Sequence, residues 1–361
     1  MTTAAQSAVP DGMRADVELA QRGRSEMQFL QAMRAGLRPL QARLRDRLEK
    51  GDALAWDGTD IAGLRAAVDG ELAEDADLGI IGAALRWNRS VLTPRAVDAF
   101  GERAEDLSAK AAPVDAEAIT DRGEEAVPRY WRYEFHGTTG GWDGHEHMGF
   151  VHHELVYRYL LVPSFPGDIF GQRASVARLA PREDYTDICD LGCGTGQFTM
   201  KLAQTYPGAR ITGVDLSVSE LRYAQRRAAE AGLEWDLLRA PAEDTGLAEG
   251  AFDLVTSFIL LHEIPPHAIR KVFAEALRLL RPGGDLVFSD VAPYRLRSPY
   301  QAWHDDWDAE NGHEPWWRTA ATTDLAGIAR EAGFTDVRQE ALGKESYPWV
   351  TLARKPGQER L

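Results

Sequence analysis

The 361-residue sequence predicts an α/β protein in which an all-helical region precedes a mainly parallel sheet flanked by helices. Two observations lead to this prediction. Apolar residues recur at helical spacing through the N-terminal third, most regularly between Leu19 and Leu48. From Asp187 onwards, short apolar runs alternate with helical patterns, which is the order that βαβ units require.

The N-terminal third is expected to form a series of helices. The apolar spacing predicts one long helix over 17–50 and shorter helices over 59–72, 78–92 and 94–107, with Asp, Thr and Gly between them. The long apolar stripe of the first helix needs a surface to cover it. We therefore expect a helical domain over 1–125 that covers the substrate side of the protein or forms a homodimer.

The segment 126–175 is unusually rich in aromatic residues, glycines and histidines. Five of the nine histidines fall between 136 and 153, and His145 is one of them. A second aromatic and acidic stretch over 300–317 contains His304. Aromatic walls with a few polar groups are typical of small-molecule pockets, so both stretches are expected to border the substrate. No metal site is expected, because the H-E-x-x-H spacing is absent.

The most informative stretch opens the last predicted domain, 176–361. A short strand ends at Asp190 and leads into glycines at every second position, Gly192, Gly194 and Gly196. A dinucleotide fingerprint would need its third glycine one residue later. A second strand ends at Asp215, where a carboxylate can accept both ribose hydroxyls of a nucleoside.

The later elements follow at the expected intervals. A capping box at Ser217 starts the helix after the second strand. Strands are predicted over 235–238, 252–257 and 285–290, and a helix is predicted over 268–280 before the stop signal Arg281-Pro282-Gly283-Gly284.

These motifs resemble those of the class I S-adenosylmethionine (SAM)-dependent methyltransferases over about 185–355, roughly half of the chain. The resemblance implies a Rossmann-like seven-stranded core with SAM as cofactor. It implies a cofactor site at a set of residues along the strand ends, namely Asp190, Gly192, Gly194, Gly196, Asp215, Leu216, Ala242, Glu243 and Ser257. Many family members carry an aspartate where Pro241 stands, so adenine recognition is expected to fall to the Ala242 backbone and to Glu243 or Asp244.

Composition narrows the class of substrate and the compartment. The net charge is −15 and the pI is about 5.1, whereas a nucleic-acid substrate needs a basic surface. No apolar run is long enough for a membrane helix, and no secretory signal is recognised. The two cysteines, Cys189 and Cys193, do not predict a disulfide or a zinc site. We expect a cytoplasmic enzyme with a small-molecule acceptor.

Methyl transfer to a hydroxyl, amine or acidic carbon requires a base for the departing proton. His262 and Glu263 follow the fourth strand at the substrate edge and are the first candidates, with His145 and His304 as further candidates. An alternative is that His262 or Glu263 merely caps or orients the helix after Pro265. The leading hypothesis is methylation of a small, aromatic or polycyclic metabolite. Two rivals are a methyltransferase-like protein with a SAM-independent reaction and a non-catalytic SAM-binding partner.

Overall fold

The computed structural model describes residues 17–140, 142–164 and 168–357. Its strands are β1 (Ile119–Asp121), β2 (Glu134–Phe135), β3 (Thr138–Thr139), β4 (Asp187–Leu191), β5 (Arg210–Asp215), β6 (Trp235–Arg239), β7 (Phe252–Phe258), β8 (Leu280–Asp290), β9 (Thr335–Ala341) and β10 (Trp349–Arg354). Its α-helices are α1 (Gln21–Leu48), α2 (Ile61–Glu71), α3 (Ala76–Gly101), α4 (Ala104–Ala111), α5 (Met148–Phe150), α6 (Ile169–Ala177), α7 (Gln197–Thr205), α8 (Val218–Glu230), α9 (Pro266–Leu279), α10 (Pro299–Asn311), α11 (Trp317–Thr322) and α12 (Leu325–Ala332).

One sheet of eight strands forms the centre, in the order β1-β6-β5-β4-β7-β8-β10-β9. In this order, each strand from β1 through β8 is parallel to its neighbours up to β8, and β10 runs antiparallel to both β8 and β9. The strands β4 and β7 are buried along their whole length, as expected for central strands covered by helices on both faces. The carboxyl ends of β4 to β8 therefore meet at one edge of the sheet.

The predicted Rossmann-like α/β fold is confirmed, with one addition to the predicted sheet. The seven expected strands form the contiguous block from β6 to β9. The eighth strand, β1, comes from the region that was predicted to be all-helical, and it pairs with β6. Arg239 holds this edge by ion pairs to Asp121, at 3.2 Å, and to Glu124, at 2.6 Å. A three-residue strand is too short to leave an alternating pattern in the sequence.

The predicted break near Pro94 was wrong, because α3 runs through this proline without ending. A proline inside a helix removes one backbone hydrogen bond and costs about 3 kcal/mol. The turns around Pro94 pack closely on α1: Ala96, Ala99 and Phe100 are buried in one cluster with Met27. This tertiary packing explains why the helix continues.

The apolar stripe of α1 is covered within the same chain. Its N-terminal half packs with Met27 and Leu30 against α3 and the segment after residue 147, and its C-terminal half packs with Leu37 and Leu44 against α2 and α10. The stripe therefore supplies no dimer surface, and the homodimer stays a prediction. Among the helices that the structure describes, none has the length and apolar character required to cross a membrane.

The helix that follows Phe150 has an uncommon form. Residues Val151–Leu161 make a π-helix that continues directly from α5. Its last backbone bond, from Val162 N–H to the Tyr157 carbonyl, spans five residues rather than four. The wider turn brings His152, Tyr157 and Leu161 to the same cavity wall. π-Helical turns occur frequently at functional sites.

Candidate functional site

A cavity of about 380 Å³ opens at the carboxyl edge of the sheet. The ends of β4, β5, β6 and β7 form its floor, and the segment from Tyr130 to Arg173 forms much of its wall. No residue of α1 to α4 lines this cavity. These helices pack behind the segment that does, and their covering of the substrate side stays a prediction.

The glycine loop after β4 lies on the cavity floor. Gly192, Gly194 and Gly196 all have positive φ angles, of 72°, 51° and 72°. A side chain would also collide, because a Cβ on Gly192 would lie 3.0 Å from Leu260 and one on Gly196 would lie 2.4 Å from the Trp235 ring. Glycine is therefore required by both backbone conformation and space.

Asp215, at the end of β5, faces the cavity beside this loop. It accepts hydrogen bonds from the backbone N–H of Gly194, at 2.8 Å, and of Ser217, at 2.9 Å. Burial raises its pKa to about 7. Leu216, Ala242 and the half-buried Glu243 also line the cavity.

Glu243 is held by a tyrosine from the wall segment. Its carboxylate accepts a hydrogen bond from the Tyr130 hydroxyl at 2.7 Å. Asp244, the other candidate for adenine recognition, points away, is largely exposed and pairs with Arg122 at 3.3 Å.

Two predicted cofactor residues lie beneath the cavity rather than in its lining. The Asp190 carboxylate accepts hydrogen bonds from Thr199, at 2.6 Å, and Thr256, at 3.1 Å, and burial raises its pKa to about 7. The Ser257 hydroxyl donates to the Leu191 carbonyl at 2.8 Å. Side chains alternate along a strand, so these two face the packed layers and support the loop from below.

His262 and Glu263 stand in the short 3₁₀ helix Leu261–Glu263 after β7, and both line the cavity. His262 Nδ1 lies 2.9 Å from Asp290 Oδ1, at the end of the neighbouring strand β8. The second Asp290 oxygen accepts from the Leu261 N–H at 2.6 Å. Burial lowers the pKa of His262, but the Asp290 carboxylate, together with Glu263 and Glu314, raises it by more, to about 9.

A row of alternating acids and histidines continues from this pair across the cavity. Glu263 Oε1 lies 4.0 Å from His262 Nε2 and 3.4 Å from His136 Nε2. His136 Nδ1 in turn lies 3.2 Å from Glu314. Burial raises the pKa of Glu263, but His136 and His262 lower it by more, so that this carboxyl is ionised.

The aromatic wall stacks on this row. The His136 and Trp142 ring centroids are 5.1 Å apart, and those of Trp142 and His152 are 3.9 Å apart with nearly parallel planes. His152 Nδ1 lies 3.0 Å from the buried Glu220 carboxylate. Burial lowers the pKa of His152 to about 3, so this ring is neutral.

The other two candidate bases lie away from the cavity. His145 packs beside Phe100 of α3, with ring centroids 5.8 Å apart. His304 lies on α10, where Tyr300 and Trp307 surround it. The second aromatic stretch folds mainly against α1 and α2, so only Glu314 and Trp317 from it reach the cavity.

Two residues of the site, Asp290 and Arg173, were not predicted from the sequence. Asp290 was assigned only as the end of a strand, although parallel strand ends meet at one edge and the position alone would have pointed to it. Arg173 carried no signal, since it is one arginine of a helix. In the part of the chain that the structure describes, no group of three or more His, Cys, Asp or Glu side chains is arranged to hold a metal ion.

Comparisons with known proteins agree with this geometry. Residues 188–284 match the model of a methyltransferase domain. A malonyl-[acyl-carrier protein] O-methyltransferase of Legionella pneumophila subsp. pneumophila is 34% identical over 137 residues, which are 38% of this chain and 46% of that protein. An uncharacterized methyltransferase of Synechocystis sp. is 30% identical over 164 residues, which are 45% of this chain and 71% of that protein.

Among solved structures, an O-methyltransferase family protein of Burkholderia thailandensis superposes with a TM-score of 0.44 at 20% identity, over 52% of this chain and 56% of that one. The chain spans less than half the length of the Legionella relative. The match to the methyltransferase domain and the coverage of the Synechocystis protein are nevertheless sufficient to establish the family. The chain belongs to the class I SAM-dependent methyltransferases.

Proposed function

We propose that this protein transfers the methyl group of SAM to a small-molecule acceptor, with His262 as the base that Asp290 orients. One observation carries the proposal: a single cavity runs from the glycine loop and Asp215 to the His262–Asp290 pair. Its volume of about 380 Å³ lies within the roughly 300–1,000 Å³ of small-molecule pockets.

The residues present suit the cofactor. Asp215 offers a carboxylate for the ribose hydroxyls, and the glycine loop leaves room for a chain to pass above it. Two buried oxygens in the lining, Glu220 Oε2 and Gln197 Oε1, have no hydrogen-bond partner within the described residues. A ligand with hydroxyl and ammonium donors would satisfy such acceptors.

SAM, when bound, supplies a methyl group that its positive sulfur has already activated. The Asp290 carboxylate can only accept, so Nδ1 of His262 carries the proton and Nε2 is left for the acceptor. A positive charge in the cavity disfavours the imidazolium and lowers the pKa of His262 from about 9. The neutral imidazole can then take the proton of an acceptor hydroxyl or amine.

The aromatic wall supports an aromatic or polycyclic metabolite as acceptor, in keeping with a role in secondary metabolism. Trp131, Trp142, Tyr157 and Trp317 line the cavity around the polar row, and flat apolar ligands stack well on such rings. The acidic lining, which includes Glu263 and Glu314, is a poor match for a polyanionic acceptor.

The test uses labelled SAM and a panel of phenols, hydroxylated polycyclic compounds and aromatic amines. Label transfer by the wild type that falls about 10²-fold or more in H262N, with unchanged binding of S-adenosylhomocysteine, supports the proposal. Equal transfer by wild type and H262N contradicts the role of His262. Binding of the cofactor without transfer to any acceptor favours a SAM-binding partner instead.

We also propose a homodimer in the cytoplasm. The face formed by α1 and α3 exposes Phe29 (58%), Ile80 (54%) and Trp87 (41%), and clustered exposed apolar side chains mark interaction surfaces. Light scattering that gives a dimer for the wild type and a monomer for W87D supports this. The free, buried cysteines Cys189 and Cys193 suit a reducing compartment.

A further inference from the structure

Asp306, on α10, is a buried carboxylate that ties three separate parts of the chain together. It is 2% exposed. Its oxygens accept hydrogen bonds from the Tyr294 hydroxyl at 2.9 Å, from Nε and Nη2 of Arg318 at 2.7 and 2.5 Å, and from Nη1 of Arg65 at 2.7 Å. Burial raises the pKa of Asp306, but Arg318, Tyr294 and Arg65 lower it by more, so that this carboxyl is ionised.

Two of these partners belong to the segments that flank His262. Tyr294 lies four residues after Asp290, the partner of the His262 ring, in the 3₁₀ turn that follows β8. Arg318 directly follows Trp317, whose ring lies edge-on to that of His262 with the centroids 5.0 Å apart. One buried carboxylate therefore fixes both the chain after β8 and the start of α11, which are the two places that supply neighbours of the imidazole.

The third partner, Arg65, brings the N-terminal helices into this arrangement. It lies on α2, is 8% exposed, and also pairs with Asp69 at 2.9 Å and with Glu310 at 2.7 Å. Asp69 in turn accepts a hydrogen bond from the indole N–H of the buried Trp303 at 2.9 Å. Among the described residues that line the cavity, none belongs to α2. This helix nevertheless reaches the two segments beside the imidazole through a single carboxylate.

The position of His262 matters because a base must hold its free nitrogen toward the acceptor. The ring is 4% exposed, its Nδ1 lies 2.9 Å from Asp290, and Trp317 closes one side of it. If the chain after β8 or the start of α11 moves outward, the ring is held less closely by both neighbours. A displacement of about 1 Å can lower a rate by about 100-fold.

We propose that Asp306 and Arg65 are positioning residues for His262. The inference rests on the proposed function, because it takes His262 as the base. Neither residue lines the cavity. Through Asp306, α2 holds the chain after β8 and the start of α11 against the imidazole, which gives the N-terminal region an indirect part in the reaction.

A second buried aspartate supplies matched controls. Asp285 is 1% exposed, accepts a hydrogen bond from the Tyr185 hydroxyl at 2.8 Å and pairs with Arg182 at 3.1 Å. Tyr185 and Tyr294 are each 3% exposed, and neither Asp285 nor its two partners line the cavity. The pair Y294F and Y185F removes the same hydroxyl from the two clusters, and the pair R65Q and R182Q removes a guanidinium from each.

The first readout is an NMR titration of the His262 ring, with H262N used to assign the resonance. Y294F and R65Q are expected to lower the titration midpoint by roughly 0.5 to 1 pH unit, because the Asp290 charge is held less closely. Y185F and R182Q should leave it near 9. The other charged groups that face the ring, Glu263, Glu314 and His136, are unchanged in all four variants.

The sign of the shift separates position from charge. Y294F alters no charge at all. R65Q removes a positive charge, which by itself would raise the titration midpoint of His262, whereas loosened positioning lowers it. Unfolding free energies should fall in all four variants, because each loses a buried hydrogen bond, so stability alone does not distinguish the two clusters.

The second readout is label transfer from SAM. Y294F and R65Q should lower it by about 10-fold and leave the binding of S-adenosylhomocysteine unchanged, because the Asp306 cluster contacts no residue of the glycine loop. Y185F and R182Q should transfer label as the wild type does. R65K keeps the positive charge and is expected to restore part of the transfer that R65Q loses.

Equal titration midpoints of His262 in Y294F and Y185F would overturn the positioning role, as would a raised midpoint in R65Q. Should R65Q fail to fold, Y294F decides the question, since it removes one hydroxyl only. If H262N transfers label as well as the wild type does, the proposed function fails. The titration of His262 in Y294F and Y185F then still tests the positioning by itself.

Discussion

Replacing Asp290 by asparagine should lower the pKa of His262 by a large and measurable amount. The carboxylate lies 2.9 Å from His262 Nδ1, and the pKa stands at about 9 against an ordinary value of 6.5. Since one pKa unit corresponds to about 1.4 kcal/mol, this rise favours the imidazolium by about 3 kcal/mol. Without this negative charge, only Glu263 and Glu314 oppose the effect of burial, which is the largest single influence on the pKa of His262. We therefore expect a pKa well below 9 in D290N.

The assay is an NMR titration of the histidine ring signals, with H262N used to assign the resonance. D285N is the matched control, because Asp285 is a buried aspartate on the same strand whose partners are Tyr185 and Arg182. In D285N the His262 titration should stay near pH 9. A His262 resonance that still titrates near 9 in D290N would refute the reasoning.

The same pair makes stability depend on pH with a defined sign. His262 has a higher pKa in the folded than in the unfolded protein, so its contribution is complete below about pH 6.5 and is lost as pH rises through about 9. The deficit of D290N in unfolding free energy should therefore be larger at pH 6 than at pH 10. Chemical denaturation at the two pH values measures it, and equal deficits would contradict the linkage.

Three further variants test other features. D215N should weaken S-adenosylhomocysteine binding by about 1–3 kcal/mol in calorimetry, because the ribose hydroxyls lose a charged acceptor. D236N is the control and should bind normally, because Asp236 is exposed. Unchanged affinity in D215N would remove Asp215 from the ribose site. G196A should lower the free energy of unfolding by about 1–3 kcal/mol, since the φ angle of Gly196 is 72° and the Trp235 ring would lie 2.4 Å from the added Cβ. G208A should be nearly neutral, because a Cβ there meets no atom within 4 Å. Equal denaturation midpoints of the two variants would contradict the expected strain at Gly196. P94A should raise thermal stability, because alanine restores the backbone hydrogen bond that Pro94 removes from α3, and a proline inside a helix is about 3 kcal/mol less favourable than alanine. A lower melting temperature of P94A would show that the fold accommodates the proline.

The sheet and its glycine loop were predictable because their signals are local. The spacing of Gly192, Gly194 and Gly196 reflects positive φ angles, and the strands are short apolar runs bounded by turns. The placement of His262 and Glu263 at the substrate edge followed from strand order alone. Each of these inferences needs only neighbouring residues and the rule that parallel strands end together.

The rest depends on tertiary packing that no local pattern encodes. The sequence does not distinguish the nine histidines from one another, but only three of them, His136, His152 and His262, line the cavity. His304 is directed elsewhere because α10 packs on α2 and not over the sheet edge. Likewise, Pro94 would break an isolated helix, and only the packing of α3 on α1 explains why it does not.

The π-helix Val151–Leu161 makes the cavity wall sensitive to the length of the chain rather than to its composition alone. Its wide turns bring His152 and Tyr157, five residues apart, to one side. Deleting a single residue between them would allow ordinary α-helical turns, and successive residues would then be offset by about 100°. Every side chain beyond the deletion would be redirected at once, including Tyr157 beside Arg173. A one-codon deletion in this segment would thus exchange one pocket wall for another and leave the sequence of the sheet beneath it unchanged.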